Sequence, residues 1–181
     1  MFKTGLTSIT FRKCSADEII AMAKEADLDG IEWGGDVHVL PGDLKTASDV
    51  KAKTEAAGLS VCSYGSYFRC EEDEDFQPVL DSAVALGAPV IRVWAGKQSP
   101  DAADTTYRTN VVNKLRHAVE LAEKVGVTVA LEYHGNTLTE TQTSAHQILA
   151  EVGSPALKLY WQPRTGGEFA EDLIELEAAL P

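Results

Sequence analysis

The sequence predicts an α/β protein of the (β/α) TIM-barrel type, and three observations lead to this fold class. Short apolar runs typical of buried strands alternate with longer segments whose apolar residues recur at helical spacing. Glycines that end predicted helices stand at positions 58, 87, 126 and 153, which gives a repeat of about 30 residues. Strands and helices that alternate in this way form a parallel sheet with right-handed crossovers.

The six strands are predicted from apolar runs that are bounded by glycine, proline or polar turn residues. The fifth run begins at Val127 and ends in Glu132 and His134. In chain order the predicted strands occupy residues 1–10, 28–33, 59–64, 89–93, 127–134 and 156–161.

The six helices are predicted from capping residues and from the helical spacing of their apolar residues. Ser15 and Glu18 form a capping box before the first helix, and Asp43 caps the second. The acidic run 71–75 precedes the third helix, where negative charge favours a helix N-terminus. In chain order the predicted helices occupy residues 16–26, 44–57, 76–86, 105–125, 141–152 and 168–180, and loop 162–167 comes before the last of them.

The number of units predicts an incomplete barrel. A complete (β/α) barrel has eight units and about 250 residues, whereas six units already fill the 181 residues of this chain. We therefore expect residues 1–181 to be one C-terminally truncated barrel domain, in which strands seven and eight are missing. Because an open barrel leaves two sheet edges unpaired, we expect either a longer natural protein or a homo-oligomer.

Composition and charge limit the function classes. The chain is 44% hydrophobic and 24% charged, which is normal for a globular domain. Its formal net charge of -12 repels phosphate backbones and anionic lipids, so we expect neither nucleic acid nor a membrane as a partner. No spanning segment or signal peptide is predicted. Since Cys14, Cys62 and Cys70 lack disulfide or CxxC spacing, we expect free thiols and a cytoplasmic location.

Chemically capable residues collect at the predicted carboxyl ends of the strands, which share one rim in a parallel barrel. Glu132 and His134 are separated by one residue, so both project to the same face of a strand. Aromatic rings beside a few polar groups suit a polyhydroxylated ligand such as a sugar or sugar phosphate. The candidate substrate-binding residues are Trp33, His38, Tyr64, Tyr67, Arg92, Trp94 and Trp161. The alternative for each is ordinary core packing or a structural ion pair, and Glu32 in particular could tie strand two to a neighbour.

Four stretches of the sequence, taken together and in this order, resemble one known family. They are Thr7-Ser-Ile-Thr-Phe-Arg12, Gly30-Ile-Glu-Trp-Gly-Gly35, Leu131-Glu-Tyr-His-Gly135 and Tyr160-Trp-Gln-Pro163. The chain resembles the sugar phosphate isomerase/epimerase family with the xylose isomerase-like TIM barrel, over its first six units. The resemblance implies an enzyme that abstracts a proton next to a carbonyl group, with a divalent metal (manganese, magnesium, cobalt or zinc) on the rim.

The resemblance also implies roles for particular residues. Glu132 stands where the family has its strand-five metal ligand, and it would act as a ligand or as the catalytic base. Gln162 stands where the family has a strand-six aspartate, and an amide oxygen is a weaker ligand for a hard cation. His134 would orient the substrate or carry a proton, while Arg92 and His38 would bind a phosphate or hydroxyl groups.

Three other functions compete with a sugar isomerase or epimerase. A dehydratase of cyclic polyols is a lyase that shares the fold and the proton abstraction. A catalytically incomplete chain would only bind sugar. An apurinic-site endonuclease needs a histidine-rich zinc site and a basic face, and it is disfavoured by the acidic charge and by the mid-helix positions of His117 and His146.

Overall fold

The computed structural model describes residues 2–163 and 166–180, and in this part of the chain strands and helices alternate as predicted. The strands are β1 (Gly5–Thr7), β2 (Gly30–Gly34), β3 (Ser60–Gly65), β4 (Val90–Val93), β5 (Thr128–Glu132) and β6 (Leu157–Tyr160). The helices are α1 (Ala16–Glu25), α2 (Leu44–Ala56), α3 (Gln77–Leu86), α4 (Thr105–Glu123), α5 (Gln142–Val152) and α6 (Phe169–Ala179). Arg164 and Thr165 of the predicted loop 162–167 lie outside the described residues.

The strands form one sheet in the order β1-β2-β3-β4-β5-β6, so sequence neighbours are also spatial neighbours. The registers are parallel, with Leu6 opposite Ile31 and Glu132 opposite Tyr160. Parallel neighbours joined by helices are the (β/α) topology that the sequence predicts, and the predicted fold class is confirmed.

The first and the fifth strand differ most from their predicted lengths, and in both cases side-chain hydrogen bonds redirect the chain. The first strand ends at Thr7 because a 3-10 helix follows at Ser8–Phe11, in which the Ser8 hydroxyl accepts from the Gly34 amide. The fifth strand ends at Glu132, where the Thr139 hydroxyl bonds the carbonyl oxygen of Glu132.

Contacts between residues divide the chain into two compact units. The first comprises Met1–Tyr67, Asp75–Arg92 and Lys124–Val127, and the second comprises Phe68–Glu74, Val93–Glu123 and Thr128–Pro181. Ile19 is fully buried in the core of the first unit, and Leu115 and Leu131 are fully buried in the core of the second.

The predicted helix caps are present in the first unit. Ser15 and Glu18 make the reciprocal bonds of a capping box, and the Asp43 side chain accepts from the Thr46 amide. Gly58 has a φ of 81°, a left-handed conformation that glycine adopts without steric cost, directly after α2. These local bonds fix where α1 and α2 begin and where α2 ends.

Two further expectations concern the chain as a whole. The three cysteines are free thiols, as predicted, although Cys62 is exposed. Among the described residues, no helix is both long and apolar enough to cross a membrane.

Candidate active site

The carboxylate of Glu132 closes β5 in the second unit, and it is 8% exposed. One of its oxygens, Oε2, accepts a hydrogen bond from the indole N–H of Trp94. The other, Oε1, accepts from the amide nitrogen of Gln162 at 3.0 Å. A buried carboxylate needs such donors because desolvation penalises its charge, so these two bonds hold Glu132 in a fixed orientation.

Gln162 directs its amide nitrogen, and not its oxygen, towards the end of β5. This nitrogen donates to Glu132 and also to the carbonyl oxygen of Tyr133 at 2.6 Å. Both partners are acceptors, which fixes the orientation of the amide. Gln162 therefore crosslinks the chain after β6 to the end of β5.

The imidazole of His134 packs on the indole of Trp94, with the ring centroids 4.3 Å apart and the planes tilted by 34°. Its Nδ1 lies 2.8 Å from the carbonyl oxygen of Gly135. A carbonyl oxygen can only accept, so Nδ1 carries the proton in the neutral ring and Nε2 keeps its lone pair. Glu132 and His134 thus both contact Trp94, although β5 ends at Glu132 and His134 lies in the loop that follows.

The loop that carries His134 is held by hydrogen bonds within the loop and to the chain after β4. The Thr137 hydroxyl donates to the His134 carbonyl oxygen at 2.7 Å, and the Leu138 amide donates to the Ala95 carbonyl at 2.8 Å. Asn136 has a φ of 57°, in the left-handed region that asparagine tolerates better than most residues. Such a fixed loop keeps the imidazole in place before any ligand arrives.

A cavity of about 450 Å³ lies beside this loop, in the size range of small-molecule sites. Polar side chains that can bond hydroxyl groups contribute much of its wall. The lining residues are Tyr133, His134, Gly135, Asn136, Glu140, Gln162 and Pro163. Burial, together with the nearby Glu175, raises the pKa of Tyr133 above its ordinary value, so this phenol stays protonated at neutral pH.

The described residues do not fit the divalent metal that the family resemblance implies. No group of three or more His, Cys, Asp or Glu side chains in residues 2–163 and 166–180 is placed to hold a metal ion. Both oxygens of Glu132 accept hydrogen bonds from nitrogen donors. Gln162 directs its N–H towards Glu132, whereas a shared metal ion would require its amide oxygen there. Metal ligation by Glu132 and Gln162 stays a prediction.

In the first unit, Glu32 and Arg92 form a buried ion pair. Arg92 Nη2 lies 3.1 Å and Nε 3.2 Å from Glu32 Oε1, and the two side chains are only 6% and 5% exposed. The Ser63 hydroxyl donates to the second oxygen of Glu32 at 2.6 Å. Glu32 therefore ties β2 to β3 and β4, which is the structural role considered for it from the sequence.

A glycine makes room for this ion pair. A Cβ atom added to Gly65 would lie 2.5 Å from Arg92 Nη2 and 3.1 Å from Glu32 Oε1. Contacts this short force a displacement, so β3 needs glycine at this position.

The remaining candidates of the first unit form an internal network. Trp33 and Tyr64 are 0% exposed, and the Tyr64 hydroxyl donates to the Val39 carbonyl oxygen. His38 Nδ1 lies 2.9 Å from the Ser8 hydroxyl, and its Nε2 donates to the Cys14 carbonyl at 3.2 Å. The core burial of Trp33 and Tyr64 does not support their predicted contact with substrate, which no observation tests directly.

Tyr67 is the half-buried end of this network. Its hydroxyl accepts a hydrogen bond from Arg12 at 2.7 Å, and Arg12 also pairs with Asp36. The guanidinium of Arg92 lies 5.8 Å from the Tyr67 ring centroid. Tyr67 is therefore flanked by two arginines, each of which has its own carboxylate partner.

The structure thus distributes the predicted site residues over the two units. In the second unit Glu132 bonds Trp94 and Gln162, and Trp94 packs on His134. Trp161 of the same unit is half-buried. The other predicted site residues, Trp33, His38, Tyr64, Tyr67 and Arg92, belong to the first unit. That all these residues share one rim stays a prediction.

Sequence reasoning missed Arg69 and Asn136. Arg69 packs over the Trp94 ring, with its guanidinium carbon 4.2 Å from the ring centroid. It lies in a polar loop without periodic pattern, so no sequence signal marks it. Asn136 lies two residues after His134 of the predicted strand-end pair, and this position was an available signal.

Comparisons with known proteins agree with this fold. The family profile of the xylose isomerase-like TIM barrel matches residues 20–164. A 3-dehydroshikimate dehydratase of Bacillus anthracis is 28% identical over 168 residues, which are 87% of this chain and 60% of the relative. The chain therefore spans about 60% of the length of this curated relative.

Two solved structures illustrate the structural likeness. The crystal structure of the probable 3-DHS dehydratase of Bacillus anthracis involved in petrobactin synthesis matches with a TM-score of 0.76 and 27% identity, over 87% of this chain and 62% of that one. A D-allulose 3-epimerase of a Methylomonas species matches with a TM-score of 0.70 and 20% identity, over 87% and 62%. At 20% identity the second likeness shows the fold alone.

Proposed function

Because this chain belongs to the xylose isomerase-like TIM barrel family, we propose that it acts as a dehydratase, a lyase that removes water from a small polyhydroxylated carbonyl compound. The observation that carries the proposal is the imidazole of His134, which lines the cavity and has its Nδ1 bonded to the Gly135 carbonyl. The likeness to a 3-dehydroshikimate dehydratase supports dehydration as the reaction.

In the proposed reaction His134 is first a base and then an acid. Its Nε2 takes the proton from the carbon next to the substrate carbonyl, and the electron pair of that C–H bond forms an enolate. The carbonyl then re-forms, a C=C bond develops, and the C–O bond of the next carbon breaks. The leaving oxygen takes the proton back from Nε2, so that water departs and the imidazole is neutral again.

The neighbouring side chains position this imidazole and the substrate. Trp94 packs on the imidazole ring, and Glu132 holds the indole through its N–H. Asn136 and Glu140 line the cavity and can bond substrate hydroxyl groups. Glu132 is assigned a positioning role because both of its oxygens already accept hydrogen bonds.

An isomerase or epimerase is the alternative, and it shares the first step. It would return the proton to carbon instead of expelling a hydroxyl group. An epimerase that works on both faces of one carbon needs a second acid or base, and the carboxylate closest to this role, Glu132, is bonded to Trp94 and Gln162. A chain that binds a sugar without converting it is the third outcome.

One experiment separates these three functions. The purified protein is incubated with 3-dehydroshikimate in deuterated water, and the mixture is followed by proton NMR. Appearance of a product that has lost water supports the dehydratase. Deuterium incorporation without loss of water supports the isomerase or epimerase, and binding without either change supports the sugar-binding chain and contradicts catalysis.

A further inference from the structure

Arg69 is held in place by its backbone beside the Trp94 side chain of the candidate active site. Its amide donates to a carboxylate oxygen of Glu74 at 2.8 Å, and its carbonyl accepts from the Gly96 amide at 2.7 Å. The side chain lies over the indole of Trp94, with the guanidinium carbon 4.2 Å from the ring centroid. These two backbone hydrogen bonds thus fix the position of the Arg69 main chain, from which the guanidinium side chain extends.

The charge of Arg69 has no carboxylate partner among the described residues. By contrast, three other arginines among the described residues have carboxylate partners: Arg12 pairs with Asp36, Arg92 with Glu32, and Arg108 with Glu151. Arg69 is half-buried, in a chain with a net charge of -12. An aromatic face stabilises a cation but satisfies none of the guanidinium N–H donors.

One indole links Arg69 to the proposed catalytic groups. Trp94 contacts the guanidinium of Arg69 and the imidazole of His134, with the ring centroids of Trp94 and His134 4.3 Å apart. The N–H of the same indole donates to Glu132. The guanidinium of Arg69 and the imidazole of His134 therefore border the same indole ring.

We infer that Arg69 binds a carboxylate group of the substrate, so that the site selects an acid over its neutral counterpart. The inference rests on the proposed function and names the substrate class: a small hydroxylated carbonyl compound that also carries a carboxylate. The planar guanidinium offers two parallel N–H donors, which match the two oxygens of a carboxylate. A phosphate presents similar oxygens, so the test separates the two anions.

The test compares 3-dehydroshikimate with its methyl ester, which lacks the negative charge. The variants are Arg69→Met, which keeps the length of the stem without the charge, and Arg69→Lys, which keeps the charge. Arg116→Met is the matched control, because it removes the same charge at an exposed position of α4. Among the described residues, the Arg116 side chain bonds only Asn113 and a backbone carbonyl. Circular dichroism and thermal unfolding show that each variant is folded.

We expect Arg69→Met to raise KM for the acid about 10- to 100-fold, as loss of a charge-assisted hydrogen bond predicts. KM for the ester stays unchanged, Arg69→Lys is intermediate, and Arg116→Met behaves like the wild type. Equal effects of Arg69→Met on acid and ester, or no effect on either, would overturn the inference.

If the protein converts neither compound, titration calorimetry measures the affinity for the acid and for the ester. This measurement tests the anion site independently of the dehydratase activity. Tighter binding of the acid that is lost in Arg69→Met supports the anion site while the dehydratase proposal fails. Equal binding of acid and ester, or no binding of the acid, overturns the site. Arg69-dependent binding of inorganic phosphate without binding of the acid would replace the carboxylate by a phosphate and contradict the assignment.

Discussion

The amide nitrogen of Gln162 lies 3.0 Å from Oε1 of Glu132, where the family resemblance places a second metal-binding carboxylate. A neutral donor at this position stabilises the buried Glu132 carboxylate, whereas an aspartate would repel it. The pair Gln162 and Glu132 is thus a hydrogen-bonded crosslink between the ends of β6 and β5.

Substitution Gln162→Leu tests this crosslink. It removes the donor to Glu132 and to the Tyr133 carbonyl, so we expect the free energy of unfolding to fall by about 1–3 kcal/mol. Urea denaturation followed by circular dichroism measures the change. The control Gln147→Leu, at an exposed position of α5, changes it by less than about 0.5 kcal/mol. Similar losses in both variants would contradict the crosslink.

Substitution Glu32→Gln tests the buried ion pair of the first unit. It removes the negative charge that the buried guanidinium of Arg92 contacts, and we expect a loss of about 3–5 kcal/mol in urea denaturation. Lys53→Met is the control, because Lys53 pairs with Asp17 and Asp49 at an exposed site and its removal has little effect. A loss for Glu32→Gln as small as that control would refute a structural role of the pair.

Substitution Gly65→Ala tests the space that the pair needs. The added Cβ would lie 2.5 Å from Arg92 Nη2, so the guanidinium must move away from Glu32. We expect destabilisation of about 1–3 kcal/mol, as overpacking of a core produces. Gly135→Ala, with open space around its Cβ, leaves stability unchanged. Should Gly65→Ala be as stable as the wild type, the close approach would be wrong.

The pH dependence of stability tests the environment of His38. Burial lowers the pKa of His38 below its ordinary value of 6.5, and the bond to the Cys14 carbonyl and the charge of Asp36 oppose this in part. The unfolded chain therefore takes up a proton at higher pH than the folded chain. The stability contribution is complete above about pH 6.5 and is lost as the pH falls towards the folded-state value.

We expect the free energy of unfolding to decrease from about pH 7.5 to about pH 5, and to decrease less in His38→Gln. Urea denaturation at several pH values measures both slopes. A wild-type slope equal to that of His38→Gln would show that the histidine is not held neutral by burial.

Local signals predicted much of the fold. The capping box of Ser15 and Glu18, the Asp43 cap and Gly58 each act within a few residues of their own position, so the sequence shows them directly. The strand boundary at Thr7 was missed because the Gly34 amide, which bonds Ser8, comes from a distant part of the chain.

The candidate site was predictable only in part, for the same reason. Glu132 and His134 are two residues apart, so the sequence places them close together, but β5 ends at Glu132 and the hydrogen bonds of the following loop position His134. The pairing of Glu32 with Arg92 joins residues that are 60 positions apart. The stacking of Arg69 on Trp94 depends on a loop without sequence periodicity. The features of the site that depend on contacts between residues distant in sequence could therefore not be predicted from local patterns.

The most direct test of the account is the rate at which the His134→Gln variant dehydrates 3-dehydroshikimate. We predict that kcat falls about 10²- to 10⁴-fold, as loss of a general base does, while KM changes little and the exposed control His146→Gln keeps the wild-type rate. A His134→Gln variant with undiminished kcat, or a wild-type protein that removes no water from this compound, would contradict the central claim that His134 is the base of a dehydratase.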